Sequence, residues 1–336
     1  MGFVTSSRLQ RRWPFGRVPY EISDSLGAVA RTAITNAINA WQATAPVQFV
    51  PHGDEADYVV FELAPGSCFS QVGRIGGRQS ISCSLPTTPV AAPNGALSIA
   101  QQIDDQRDCV IVGADGAVYV AYTTGPAVWS DFIGISTPGA TRPGAPIALA
   151  KQLDNQLDAL FVDNNGAVNV MWVVDAGVWA GPVGISPPGI APPGAAIAAA
   201  KQLPNQLSAL FVDNNGVVNV MWVVDGGVWA GPVGLTQQGA APAGAQIALA
   251  KQLDNQLTAI FVDSSGAISV MWVVDGGVWN GPVALTGPSA APAGAPVKLI
   301  KQSFNQLDAL FIDGSGLLNV MWVVDGGAWN GPVAVS

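Results

Sequence analysis

From about residue 95 to the C-terminus, apolar and polar positions return every 50 residues. One aromatic series is Trp172, Trp222, Trp272 and Trp322, with Tyr122 in the first copy; a second is Trp129, Trp179, Trp229, Trp279 and Trp329. Gln102, Gln152, Gln202, Gln252 and Gln302 keep the same interval. Each of the five copies holds four short apolar runs, which in the second copy are 147–152, 157–163, 167–174 and 178–185. Along the third run Val168, Val170, Trp172 and Val174 alternate with Asn169, Met171 and Val173, the two-residue period of a strand. Asn164-Asn165-Gly166 supplies residues that tolerate positive φ in a hairpin turn, and Ala176-Gly177 marks a second turn. Four strands in a repeat of about 40–50 residues are the signature of a propeller blade. The chain is therefore predicted to be mainly β, with residues 95–336 forming a five-bladed β-propeller, a count that allows a closed ring. The first copy diverges, with RDCVIVGADGAVYVAYTTG where the second reads LDALFVDNNGAVNVMWVVD. Such divergence is expected of an end unit, which meets different neighbours.

Upstream the pattern changes to a small α/β unit over residues 1–83. A strand is predicted over 18–23, followed by a helix capped by Ser23, Asp24 or Ser25 and running to Trp41. Val29, Ala33, Ile34, Ala37, Ile38 and Trp41 recur at three- and four-residue spacing and define its apolar face. Short strands are predicted over 47–50, 57–63, 70–75 and 79–83. The stretch 84–94, SLPTTPVAAPN, is rich in proline, nearly uncharged, and reads as a linker.

Composition narrows the function. Of 336 residues 49% are hydrophobic and 11% charged, which argues for a folded chain. No apolar run reaches the ~20 residues that cross a bilayer, so membrane insertion is not expected. Residues 1–93 carry seven arginines against six acidic residues, while the remainder carries seven basic against seventeen acidic residues. That acidic balance disfavours nucleic acid as a partner. Cys68, Cys83 and Cys109 make an odd count, and a Cys68–Cys83 bridge is one open pairing. No signal peptide is visible at the N-terminus.

Several linked motifs of the first unit bear a specific resemblance. Arg12-Trp13-Pro14-Phe15-Gly16-Arg17-Val18-Pro19-Tyr20-Glu21-Ile22, the helix ending in Trp41, Val47-Gln48-Phe49-Val50-Pro51, Ala56-Asp57-Tyr58-Val59-Val60-Phe61 and Ser70-Gln71-Val72-Gly73-Arg74-Ile75-Gly76-Gly77-Arg78-Gln79 occur in order. Over residues 12–83 the chain resembles the N-terminal half of the catalytic domain of astacin-type zinc metalloproteases. The resemblance implies a following zinc helix, H-E-x-x-H-x-x-G-x-x-H, whose histidines bind zinc and whose Glu activates water. The proline-rich linker stands there instead, and His52 is the single histidine of the sequence. No catalytic residue of that family has a position here to be carried onto, so no metal, no cofactor and no enzymatic activity are expected. His52 reads as a surface residue beside Pro51 and Gly53. Asp163, Asp213, Asp263 and Asp313 open turns that lack the alternating spacing of a calcium loop, and read as turn caps.

The repeat carries a second resemblance. Leu157-Asp158-Ala159-Leu160-Phe161-Val162-Asp163-Asn164-Asn165-Gly166-Ala167-Val168, followed by Trp172 and Gly177-Val178-Trp179-Ala180-Gly181, resembles the blade of bacterial and fungal propeller lectins that bind fucose and related sugars. Those lectins bind between adjacent blades, which implies glycans or glycoconjugates, fucose-like among them, as partners and an extracellular location. Sugar sites stack an apolar ring face on an aromatic side chain and fix hydroxyls with planar polar groups. The candidates for these roles are Trp129, Trp179, Trp229, Trp279 and Trp329, together with Asn169, Asn219 and Asn319 and with Gln156, Gln206, Gln256 and Gln306. Trp172 reads as inter-blade core. The expected function is a non-enzymatic, multivalent carbohydrate-binding propeller with a vestigial protease-like N-terminal unit. The alternatives are an interaction or structural propeller without a glycan site, and a zinc metalloprotease completed by another chain. The first unit, lacking a zinc helix, is expected to bury its apolar surface on the propeller or in a homo-oligomer.

Overall fold

The computed structural model describes residues 12–335, apart from 25, 27, 64–68, 72, 84–90, 93–94 and 126–127. It divides into two compact units, Met1–Thr88 and Pro89–Ser336. Cys68, Ser25 and most of the linker lie outside the described residues.

In the first unit five strands form one sheet in the order β2-β1-β3-β5-β4. Strand β1 (Arg17–Ile22) lies between β2 (Gln48–Pro51) and β3 (Tyr58–Leu63), parallel to both. The parallel pairing of β1 and β2 requires a crossover, supplied by helix α1 (Ala28–Thr44). Strand β5 (Arg78–Cys83) continues parallel to β3, and the two-residue β4 (Phe69–Ser70) pairs antiparallel with β5. Val18, Val59, Val60 and Ile38 are buried. The helix starts later than its expected cap, and ahead of it Leu26 N–H donates to Ser23 O at 3.1 Å in a turn. Arg31 from the helix reaches back to that turn, donating to Ser23 O and Leu26 O at 2.9 Å each. The strand expected over 70–75 stops at Ser70. Gly76 and Gly77 adopt φ of 94° and 69°, and Gly77 N–H donates to Asp57 Oδ1 at 2.6 Å, turning the chain into β5. Trp41, assigned to the apolar helix face, is 55% exposed.

The second unit consists of five consecutive four-stranded antiparallel sheets, each with its strands in chain order. The first blade comprises Leu97–Ile103, Gln106–Val112, Val118–Thr123 and Ile133–Gly134, and the second Ala148–Leu153, Gln156–Val162, Val168–Val174 and Ala180–Gly184. The third comprises Ile197–Leu203, Gln206–Val212, Val218–Val224 and Ala230–Gly234, and the fourth Ile247–Leu253, Gln256–Val262, Ile268–Val274 and Asn280–Ala284. Val297–Lys301, Gln306–Ile312, Leu318–Val324 and Asn330–Ala334 complete the fifth. The fourth strand begins two residues later than the apolar run suggests. Asp175 and Ala176 adopt positive φ and Gly177 N–H closes on Val174 O at 2.9 Å, so a tight turn absorbs those residues.

Two local devices shape the second blade and recur in the third and fourth. Asp163 Oδ1 accepts the N–H groups of Asn165 (2.8 Å) and Ala167 (2.9 Å), capping the turn between second and third strands. Gly166, at φ +73°, passes so close to the next loop that a Cβ would lie 2.3 Å from Ala191 O. The alternation of each strand then sorts side chains onto two faces. Leu160, Val162, Val168 and Val170 form the leading face of the second blade and pack on Ile197, Ala209, Phe211 and Met221 of the third. The same positions pack at the other junctions. Each such aliphatic or aromatic side chain contributes about 1.5–3 kcal/mol when fully buried, so the junctions between blades are the core.

The end blades depart from this. Ile312 and Leu318 are 56% and 39% exposed, whereas Val162 and Val168, one or more repeats earlier, are 0% exposed. On the opposite face of the first blade Leu97 and Ile99 are 67% and 56% exposed. The repeat count allows a closed ring, but these two end faces are not sealed by another blade of this chain.

Candidate functional site

Above the apolar core of each junction, the leading face of one blade turns polar and meets the turn before the fourth strand of the next. Three of these junctions hold cavities among the described residues. Between the second and third blades the cavity is about 550 Å³, lined by Gln152, Gln156, Asp158 and Trp172 on one side and by Gly226, Val228 and Trp229 on the other. The junction of the first and second blades repeats it at about 530 Å³, with Gln106, Asp108 and Tyr122 facing Ala176, Val178 and Trp179. At the fourth and fifth blades it is about 290 Å³, with Gln252, Gln256, Thr258 and Trp272 facing Gly326 and Trp329. Each cavity is thus walled by an aromatic residue from each blade and floored by amides and a carboxylate or hydroxyl.

The floor is a hydrogen-bonded network. Gln156 Nε2 donates to Asp158 Oδ1 at 2.8 Å. Gln156 Nε2 also donates to Gln152 Oε1 at 2.8 Å. The first junction is built the same way, Gln106 Nε2 donating to Gln102 Oε1 at 2.9 Å and to Asp108 Oδ1 at 2.8 Å. Asp108 and Asp158 are 1% exposed. Burial pushes the Asp158 carboxyl up to about 6, with the Gln156 bond opposing it, and it raises Asp108 against the Gln106 bond. In the fourth blade Thr258 Oγ1 donates to Gln252 Oε1 at 2.9 Å, and in the third Ser208 Oγ lies 3.5 Å from Gln202 Oε1.

The sequence-derived candidates divide by place. Trp179, Trp229 and Trp329 wall the three cavities, and Gln156 and Gln256 stand on their floors. Trp279 packs at the junction of the third and fourth blades, where Gln206 donates to Gln202 Oε1 at 3.3 Å. Gln306 donates to Asp308 Oδ1 at 2.8 Å on the leading face of the fifth blade, and Trp129 is exposed beside the first. Asn169, Asn219 and Asn319 stand at the opposite end of their strands. There Asn169 Nδ2 donates to Asp163 Oδ2 at 3.0 Å and Asn319 Nδ2 to Asp313 Oδ2 at 3.0 Å, while Asn219 Nδ2 reaches Asp213 Oδ2 at 3.1 Å. These bonds brace the capped turns, and none of the three asparagines lines a cavity. The structure adds Gln152, Asp158 and Trp172 with their equivalents. Trp172 both packs on the junction core and walls the cavity.

In the first unit His52 stacks on Tyr58 with ring centroids 3.6 Å apart, and its Nε2 lies 3.1 Å from Glu55 O. Among the described residues no three His, Cys, Asp or Glu side chains converge on one point.

Comparison with known proteins assigns the two units separately. Residues 5–88 match the Astacin peptidase family. Over 74 residues the chain is 38% identical to bone morphogenetic protein 1 of Xenopus laevis, covering 22% of this chain and 10% of that protein. Over 83 residues it is 34% identical to zinc metalloproteinase nas-4 of Caenorhabditis elegans, covering 24% and 26%. The chain thus spans a tenth to a quarter of these relatives. AofleA of Arthrobotrys oligospora (TM-score 0.55, 15% identity, 74% and 73% covered) shares the fold of the second unit. The solved BP39L lectin of Burkholderia pseudomallei superposes with a TM-score of 0.70 at 42% identity, over 72% of this chain and 70% of that one. At that identity and coverage the chain belongs, through its repeats, to the family of the BP39L lectin.

Proposed function

We propose that the protein is a non-enzymatic, multivalent lectin that takes up monosaccharide units of glycans in the cavities between its blades. The observation that carries this is the repeated cavity itself, in which two aromatic side chains from adjacent blades flank a polar amide floor. An indole face matches the apolar face of a pyranose, and side-chain amides match hydroxyl pairs. Trp179, Trp229, Trp279 and Trp329 are half-buried, as a stacking platform requires; complete burial would instead favour a purely structural role. Three solvent-reaching cavities on one rigid scaffold gain avidity on a glycan-bearing surface without any new contact. An Aleuria aurantia lectin mutant of the same fold (TM-score 0.52, 16% identity) is solved in complex with Fucalpha1-6GlcNAc, which makes fucosides the first probes. The N-terminal unit is proposed to be a protease-like scaffold without activity, and the protein to act outside the cell, where glycans are displayed.

A glycan array followed by titration calorimetry tests the reading. Trp229→Ala is expected to weaken binding at its cavity about tenfold, the loss of a buried aromatic contact. Absence of binding to any sugar at millimolar concentration would sink it.

A further inference from the structure

The polar floors are built on one frame. In every blade the amide of one Gln donates to another: Gln106 to Gln102 at 2.9 Å, Gln156 to Gln152 at 2.8 Å, Gln206 to Gln202 at 3.3 Å, Gln256 to Gln252 at 3.0 Å and Gln306 to Gln302 at 2.5 Å. The residue beside that pair reads Asp108, Asp158, Ser208, Thr258 and Asp308 along the chain. The frame is constant and the charge on it varies. Ser208 and Thr258 are as buried as Asp108 and Asp158, at 1% exposed, and their blades keep the same strand pairing and junction packing. A carboxylate is therefore dispensable to the fold at this place.

It is also a burden there, because a buried charge without a counter-ion is disfavoured. Among the described residues no Lys, Arg or His lines any of the three cavities. Across the second junction Lys201 reaches Asp154 at 4.0 Å, while burial and the Gln156 bond are what act on Asp158; burial and the Gln106 bond act on Asp108. Both carboxyls line their cavities, so the missing positive charge can reach them from that side. The walls attract the same kind of group. A cation over an aromatic face is held by the ring's quadrupole, and the sides of these two cavities are Tyr122 with Trp179 and Trp172 with Trp229. A neutral pyranose uses the aromatic faces and leaves the carboxylate uncompensated. A pyranose that carries a protonated amine uses both, since an ammonium only donates and a carboxylate only accepts.

We infer that the cavities floored by Asp108 and Asp158 select amino sugars, whose ammonium group supplies the charge that the two carboxylates lack, and that the cavity floored by Thr258 takes neutral rings. This rests on the carbohydrate reading and names the sugar class for two of its sites. It also gives a reason for a side chain that the fold does without: the stability it costs is exchanged for selectivity.

Calorimetric titration of the intact chain with D-glucosamine and with N-acetyl-D-glucosamine at about pH 7 tests this. The two rings differ in the charge at one nitrogen, and at that pH an amine is largely protonated. Glucosamine should bind about tenfold tighter. The advantage should vanish in the Asp108→Thr/Asp158→Thr chain, threonine being the residue that the fourth blade carries at this place. Adding Thr258→Asp to that chain should restore it at the fourth junction. Equal affinity for the two sugars in the wild-type chain, or an advantage that survives Asp108→Thr/Asp158→Thr, overturns the inference. Choline, an ammonium without a pyranose, separates the sources of the charge: binding as tight as that of glucosamine overturns the sugar class in favour of a bare ammonium, and weaker binding supports it. Binding of methyl α-L-fucoside with no preference for glucosamine overturns the inference and leaves the carbohydrate reading standing, whereas no binding of any of the three sugars defeats both.

Discussion

Replacing Asp158 by threonine, the residue that the fourth blade uses at the same place, should stabilise the protein at neutral pH and leave it almost unchanged in acid. The carboxyl rises from 3.8 to about 6 on folding because burial disfavours its charge. A folded-state value above the unfolded one means that the folded protein binds the proton more tightly. Stability from this group is therefore fully present below about 3.8 and is lost as pH rises through about 6. At about 1.4 kcal/mol per pH unit, the displacement corresponds to about 3 kcal/mol at pH 7 and above. Threonine has no charge to desolvate and keeps a partner, as Thr258 does by donating to Gln252 Oε1 at 2.9 Å. Urea unfolding followed by indole fluorescence reads this unit selectively, since nine of the eleven tryptophans lie in the repeats. The difference between Asp158→Thr and wild type should grow by about 3 kcal/mol between about pH 4 and about pH 7.5, with most of the growth before about pH 6.5. A difference that stays constant across that window refutes the assignment of the burden to this carboxylate.

Three further outcomes follow from the packing. Val162→Asp places an unpaired charge in a fully buried junction and should cost more than about 4 kcal/mol, whereas Ile312→Asp, at the equivalent place on the open fifth blade, should cost less than about 1 kcal/mol; equal losses by chemical denaturation would show that the fifth leading face is covered. Asp163→Ala removes the acceptor of Asn165 N–H, Ala167 N–H and Asn169 Nδ2 and should destabilise by about 1–3 kcal/mol, read by chemical denaturation. Gly166→Ala should destabilise by about 2 kcal/mol or more, because left-handed backbone and a rigid carbonyl both oppose the new Cβ; a melting temperature equal to wild type would contradict the close approach.

Much of the repeat unit was legible because duplication removed the ambiguity of a single strand. One apolar run of seven residues fits a strand or a buried helix, but five copies with a turn at the same offset fit a blade. Alternation sorted Val168 and Val170 from Asn169 and Met171 correctly, since cross-strand pairing preserves the side on which residues point. It could not say where along the face the packing ends. Trp172 shares a face with Val168 and Val170 yet lies beyond the point where the next blade seals the junction, so it walls a cavity as well as a core. Asn169 misled in the opposite sense: a regularly spaced amide on a strand suggests a binding group, but its partner is the Asp163 carboxylate six residues earlier. The end faces escaped because a repeat specifies how a blade meets its neighbour, and says nothing of a blade that lacks one.

Asp158 shows what signal was present and unused. It interrupts the run Leu157-Asp158-Ala159-Leu160-Phe161-Val162 in a strand whose other side chains are buried, and a lone carboxylate in such a setting is costly unless it is bonded. Across the copies the same place holds Asp, Asp, Ser, Thr and Asp, while the flanking apolar positions keep their character. All three residue types are short and can accept a hydrogen bond from the adjacent Gln, and that shared capacity is what the position requires. They differ in charge and in whether they can also donate. An array of near-identical blades can in this way vary the polar chemistry of its cavity floors without altering the core that joins them, because the varied side chain sits on the polar end of the junction and the packing lies below it.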